Sequence, residues 1–161
     1  MKNLIFFLLS PMLAVFTPRT NPVPPVYPRD PIDTSQGAIT NPAVTQAMDE
    51  AQHWLNLIDQ GQYGSAWLDS GTLLQDIVTE SQWIGAMDEV RAPFGNGVLS
   101  RKKVSSQSIT QLPHGTRGNF MLIDYRSQFS GNSSAKERII LMTDALGQWR
   151  VISYDLKSAN G

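Results

Sequence analysis

At Val98 the spacing of apolar residues changes, from a period near 3.6 upstream to a period near 2 downstream. A chain patterned this way builds a helical layer first and a sheet afterward. That restricts it to an α+β layout in which the helices cover a face of the sheet.

Upstream, Asn41 followed by Pro42 has the form of a helix start, a capping side chain with proline at the first helical position. Val44, Ala47, Met48, Ala51, Leu55 and Ile58 then recur at steps of three and four, so one apolar face runs to about Gln60, where Gly61 stops it. Tyr63, Ala66 and Trp67 share a face of a second, shorter helix, broken by Ser70-Gly71. Leu73, Leu74, Ile77 and Val78 make an apolar turn. Thr79 and Gln82 have capping-box spacing for a third helix, whose buried stripe is Trp83, Ile84, Met87 and Val90 and which ends at "RAPFGNG". Downstream, turn signals divide the chain into four strands: Leu99 to Gln111, then "FMLIDYRSQF", "KERIILMT" and "QWRVISYDL". Short glycine-containing turns between them predict an antiparallel meander. Three N-terminal helices on a curved four-stranded antiparallel sheet tend to enclose a cone-shaped cavity, the place to look for a ligand.

The domain is preceded by an address and a spacer. Lys2 and the apolar run Leu4 to Phe16 have the pattern of a secretory signal, which predicts export, with residues 1–17 either cleaved or kept as an N-terminal anchor. Residues 18–40 follow as a Pro-rich spacer; prolines fix φ and remove amide donors, so an extended tether is expected there. A single domain over 41–157 and a tail at 158–161 complete the organisation. With 161 residues there is room for one core but not two.

Composition narrows the chemistry. There is no cysteine, which removes disulfides, thiolate metal sites and thiol nucleophiles. The net charge of −1, from 13 basic and 14 acidic residues, sets up no global field for nucleic acid, and "RKK" at 101–103 stands nearly alone. His53 and His114 lie far apart and read as surface residues, so neither metal nor cofactor is expected.

Several separated motifs resemble an uncharacterised bacterial family, domain of unknown function 4019: "AxxWLxLIDxGxYxxxW" from Ala51 to Trp67, "QWxxxxxxVRxPFG" from Gln82 to Gly95, Ser100-Arg101, "LPHG" from Leu112, and "GQWRVISY" from Gly147. The resemblance spans about residues 43 to 156. It implies exported proteins, mostly of Gram-negative bacteria, with a cystatin-like or nuclear-transport-factor-2-like cone, and it implies no reaction.

Without a catalytic constellation, no catalytic residue is assigned. The pocket candidates are Trp54, Tyr63, Trp67, Trp83, Arg91, Arg101, Tyr125, Trp149 and Tyr154. Arg91 and Arg101 bracket the helix-to-sheet crossover, where they either clamp a ligand carboxylate or phosphate or satisfy the protein's own acceptors. A buried tyrosine hydroxyl at 125 or 154 is expected to find a backbone acceptor. Alternation turns Asp124 away from Tyr125, toward solvent or toward Arg138 or Arg150. Asp59, at a helix C-terminus, is expected to accept backbone amides at the start of the next helix. The reading that follows is a non-catalytic envelope domain binding a protein or peptide, compatible with a homo-oligomer or a larger envelope assembly. Alternatives are a small-ligand carrier or sensor and, further off, a proton-transfer or dehydratase-like enzyme that would place Glu137, Asp124 or a histidine inside the cone.

Overall fold

The computed structural model describes residues 41–95 and 97–159, so the signal-like segment and the Pro-rich spacer lie outside the described residues. Helix α1 spans Pro42–Asp59, with the Asn41 side chain accepting from the Ala43 amide at 3.1 Å. Its inner face buries Ala47, Ala51, Trp54, Leu55 and Ile58, and Gly61 leaves the helix at a φ of 72°. Helix α2, Tyr63–Leu68, follows the corner. The expected apolar turn contains a single helical turn, α3, Thr72–Gln75. Helix α4, Glu80–Arg91, starts on the expected capping box, Thr79 with Gln82, and runs into a 3₁₀ turn, Ala92–Phe94.

Strands β1 (Val98–Gln111), β2 (Arg117–Phe129), β3 (Ser134–Thr143) and β4 (Trp149–Ser158) form one antiparallel sheet in the order β1-β2-β3-β4. This is the meander expected, with the helices N-terminal to it and closing over its inner face. Met121, Ile123, Tyr125 and Phe129 of β2, Ile139 and Leu141 of β3, and Val151, Tyr154 and Leu156 of β4 meet α1, α2 and α4 there in one core.

Three details of register decide which side chains reach that core. Opposite Ile140 and Leu141, β4 contributes Ser153 and Val151, so Ile152 is an extra residue. That bulge turns Val151 and Tyr154 to the same face although they are three apart, and sends Ile152 outward. On β1, Leu99 and Val104 are the extra residues at two further shifts, and both are left exposed, at 69% and 62%.

The helices do not confine themselves to one face. Gly71 donates its amide to the Val151 carbonyl at 2.8 Å, bringing α3 around the β4 edge, and Leu73 packs with Phe120, Ile140 and Ile152 on the outer face. Strand β1, in contrast, packs chiefly on β2.

Candidate functional site

The core contains a buried ionic cluster where an empty cone was expected. Arg91 closes the last turn of α4, Arg101 points inward from β1, Glu137 from β3 and Tyr154 from β4; Asp59 ends α1. The Glu137 side chain has no solvent exposure and takes four donors. Its Oε1 accepts from Arg101 Nε at 2.9 Å and from Ser127 Oγ; its Oε2 accepts from Arg101 Nη2 at 3.1 Å and from the Tyr154 hydroxyl at 2.7 Å. Asp59 accepts from Arg101 Nη1 at 2.7 Å, Arg101 Nη2 at 3.0 Å and Arg91 Nη2 at 3.0 Å. Arg91 also reaches the Tyr154 oxygen at 3.5 Å and lies 4.9 Å from the Phe129 ring centroid.

Two cations face two carboxylates, so the cluster balances to zero. That balance is what lets such charges be buried. Burial opposes the charge on Arg101, but its hydrogen bonds to Asp59 and Glu137 outweigh that penalty and leave its pKa raised. Burial, reinforced by the negative Glu137, pushes the Tyr154 hydroxyl well above its ordinary value against the pull of Arg91. Tyr125 is raised by burial as well. Tyr154 is therefore a neutral donor across the working pH range.

The chemical capacity of this cluster is small. A general base must have a lone pair facing the proton it removes. Both oxygens of Glu137 are fully occupied, and Tyr154 donates to that carboxylate rather than to anything outside. The solvent-facing end is Asp59, 21% exposed at the side chain, on a cleft of 340 Å³ that Tyr63, Asp88, Arg91 and Gly95 also line.

Two expectations are corrected and one open choice is decided. Asp59 makes no bond to the start of α2, whose N-cap Gln62 has no side-chain capping bond; two guanidinium groups three and four elements away compete better for the carboxylate. Tyr154 finds the Glu137 carboxylate, not a backbone acceptor. Of the two roles open to Arg91 and Arg101, the structure shows the internal one, pairing with the protein's own carboxylates.

The aromatic candidates are dispersed. Trp54 and Trp83 are fully buried, 5.9 Å apart between ring centroids, and Trp54 lies 5.4 Å from Tyr154, so these rings pack as part of the core. Trp54 Nε1 donates to the Ala66 carbonyl at 2.8 Å, and Trp67 Nε1 to the Val78 carbonyl at 2.9 Å. Trp83 Nε1 is buried with no partner among the described residues. Tyr63 lines the 340 Å³ cleft, Tyr125 a different one of 370 Å³, and Trp149 a third of 490 Å³ beside Glu50 and Arg150. Asp124 turns outward as expected, holding Arg138 at 2.7 Å and 3.1 Å. His53 stays at the surface, 3.2 Å from Asp69.

Ser127 is not among the sequence candidates, and Glu137 is there only as a carboxylate that a proton-transfer enzyme would place inside the cone, yet both carry a signal. Each lies at an alternate position among apolar residues, Glu137 between Ala135 and Ile139, Ser127 between Tyr125 and Phe129. An inward-facing carboxylate in such a strand demands a buried cation, and Arg101 is on the neighbouring hairpin. Among the described residues no group of His, Asp and Glu is arranged to hold a metal, and no helix is long and apolar enough to cross a membrane.

The family description "Protein of unknown function (DUF4019)" matches residues 50–154, and the chain belongs to that family. Among curated proteins none matches significantly. Among solved structures it is similar to the 2.1 Angstrom structure of ActVI-ORFA from Streptomyces coelicolor, 9% identical, covering 75% of this chain and 100% of that one with a TM-score of 0.48.

Proposed function

We propose that this chain, a member of a family with no assigned activity, is a non-catalytic exported cell-envelope domain that binds a protein or peptide partner through its sheet. The observation that carries the reading is the saturation of Glu137. The buried carboxylate best placed for proton transfer already has four donors, one of them Tyr154, whose ring packs 5.4 Å from that of buried Trp54. What remains available for recognition is surface. The long edge strand β1 projects from the helical layer and shows Leu99 and Val104 to solvent. The signal-like segment and Pro-rich spacer of the sequence support placement outside the cytoplasm, tethered or released.

The test is site-specific photocrosslinking in cells that express the full chain, with the crosslinker at Val104 and, as control, at Ala145 in the β3–β4 turn. A discrete adduct at Val104 alone is the expected result. Adducts at neither site, together with a metabolite that co-purifies stoichiometrically, would replace this reading with carriage of a small ligand.

That second reading has one observation in its favour. Glu50 Oε1 is buried without a partner among the described residues, burial raises the Glu50 pKa, and Glu50 lines the 490 Å³ cleft with Trp149 and Arg150.

A further inference from the structure

The outer face of the sheet carries a row of like charges set by strand register. Lys102 of β1 pairs with Arg126 of β2, Arg126 with Lys136 of β3, and Lys136 with Lys157 of β4. Four cations thus stand directly opposite one another across all four strands, and all four are exposed. At the usual strand spacing of about 4.8 Å the row is about 14 Å long. Cross-strand like charges oppose sheet formation, so a fold that gathers them carries a cost without an internal return. Lys157 is held by Asp155 at 2.6 Å, whereas Lys102, Arg126 and Lys136 have no side-chain ion pair among the described residues.

The neighbouring rows show that this is not the general character of the face. Two residues along, Ser105, Asp124, Arg138 and Asp155 are also in register, and there the charges alternate, with Arg138 bonded to Asp124. On the other side Ser100, Gln128 and Ser134 make a neutral row, with Ser134 donating to Gln128 at 2.6 Å. A single basic line therefore runs between a neutral line and one with two aspartates. Arg126, Lys136 and Lys157 line one side of a cleft of 370 Å³ that Asp124, Arg138 and Asp155 of the next row also line and that exposed Val104 borders.

We propose that this row docks an acidic, extended peptide segment of a partner protein, lying across the strands with its carboxylates spread along the row from Lys102 to Lys157. The inference rests on the protein-binding reading above and names the chemistry of the partner. In an extended chain the side chains on one face recur about every 6.7 Å, so carboxylates at three alternate positions span the length of the row. The width of the row selects against broader polyanions. A lipid surface or a nucleic-acid duplex would cover the whole Asp124 and Asp155 line and meet repulsion there, while a narrow peptide along the basic row meets less of it.

The experiment uses the full chain and fluorescein-labelled octaglutamate, followed by anisotropy at low ionic strength, with octaserine, phosphatidylglycerol vesicles and a DNA duplex as competing probes. Octaglutamate is expected to bind, and Arg126→Gln with Lys136→Gln to weaken it about tenfold or more and to flatten its salt dependence, with circular dichroism unchanged. Asp124→Asn is expected to leave octaglutamate binding intact and to strengthen binding of the vesicles. Equal octaglutamate binding by the native and double-Gln proteins, or tighter binding of vesicles or duplex than of the peptide by the native chain, would overturn the proposal. If crosslinking at Val104 still captures a partner with the double-Gln chain at native yield, the basic row is refuted as the docking site and the protein-binding reading stands.

Discussion

Arg101 Nη1 lies 2.7 Å from Asp59 Oδ2, which ties the projecting edge strand to the far end of the first helix. Because β1 otherwise packs chiefly on β2, this guanidinium and Val98, which packs on the core, tie it to the rest of the fold. Replacing Arg101 with Met keeps much of the volume but leaves Glu137 buried with its cation gone. A loss of about 3–5 kcal/mol is expected in chemical denaturation, while Arg101→Lys recovers part of it because one ammonium cannot reach both carboxylates bidentately.

Tyr154 and Tyr125 both have hydroxyls raised above their ordinary value of 10.0, first by burial and then by Glu137 or against a nearby arginine. A raised folded pKa means the unfolded chain loses these protons first as pH rises. Their contribution is whole below the unfolded pKa and is lost as pH climbs toward the folded values, at up to about 1.4 kcal/mol per pH unit for each group. Stability measured from pH 9 to 11 should fall with pH, and Tyr154→Phe should make that slope shallower.

Gly71 has an ordinary φ of −72°, so its identity is a matter of space. A Cβ there would stand 2.9 Å from Ile152 Cγ2 and 3.2 Å from Arg150 Cβ. Gly71→Ala should therefore push α3 off the β4 edge and cost about 1–3 kcal/mol, and Ile152→Ala in the same chain should recover part of that loss in a double-mutant cycle.

Lys136 stands between Arg126 and Lys157 in the outer row. Lys136→Gln removes repulsion on both sides, so the variant should be more stable by about 0.2–1 kcal/mol in thermal unfolding at low salt, and the gain should shrink as salt is added. Lys103, which stands opposite Tyr125 and not opposite a cation, should show a smaller gain.

The elements themselves were legible. Asn41-Pro42, Gly61 and the Thr79–Gln82 box are local signals whose physics involves only nearby backbone, and the structure uses each of them. The candidate site was legible only by halves. Alternation placed Tyr125 inward and Asp124 outward, and both stand so. It could not place Val151 and Tyr154 together, because one bulged residue, Ile152, breaks the period between them. Asp59 was misread for a similar reason. Nearby amides are the partners a local reading can see, and the guanidinium groups that hold it come from Arg91 and Arg101, far along the chain.

By itself the sequence determined the α+β order, the starts of α1 and α4, the family, and the exclusion of cysteine chemistry, since each depends on residue type or on periods shorter than one element. Only the tertiary structure decided that a buried ionic cluster stands in the core, that two arginines neutralise two carboxylates there, and that four scattered cations share a line. Those outcomes depend on strand register, and register is settled by packing between segments that the sequence keeps apart.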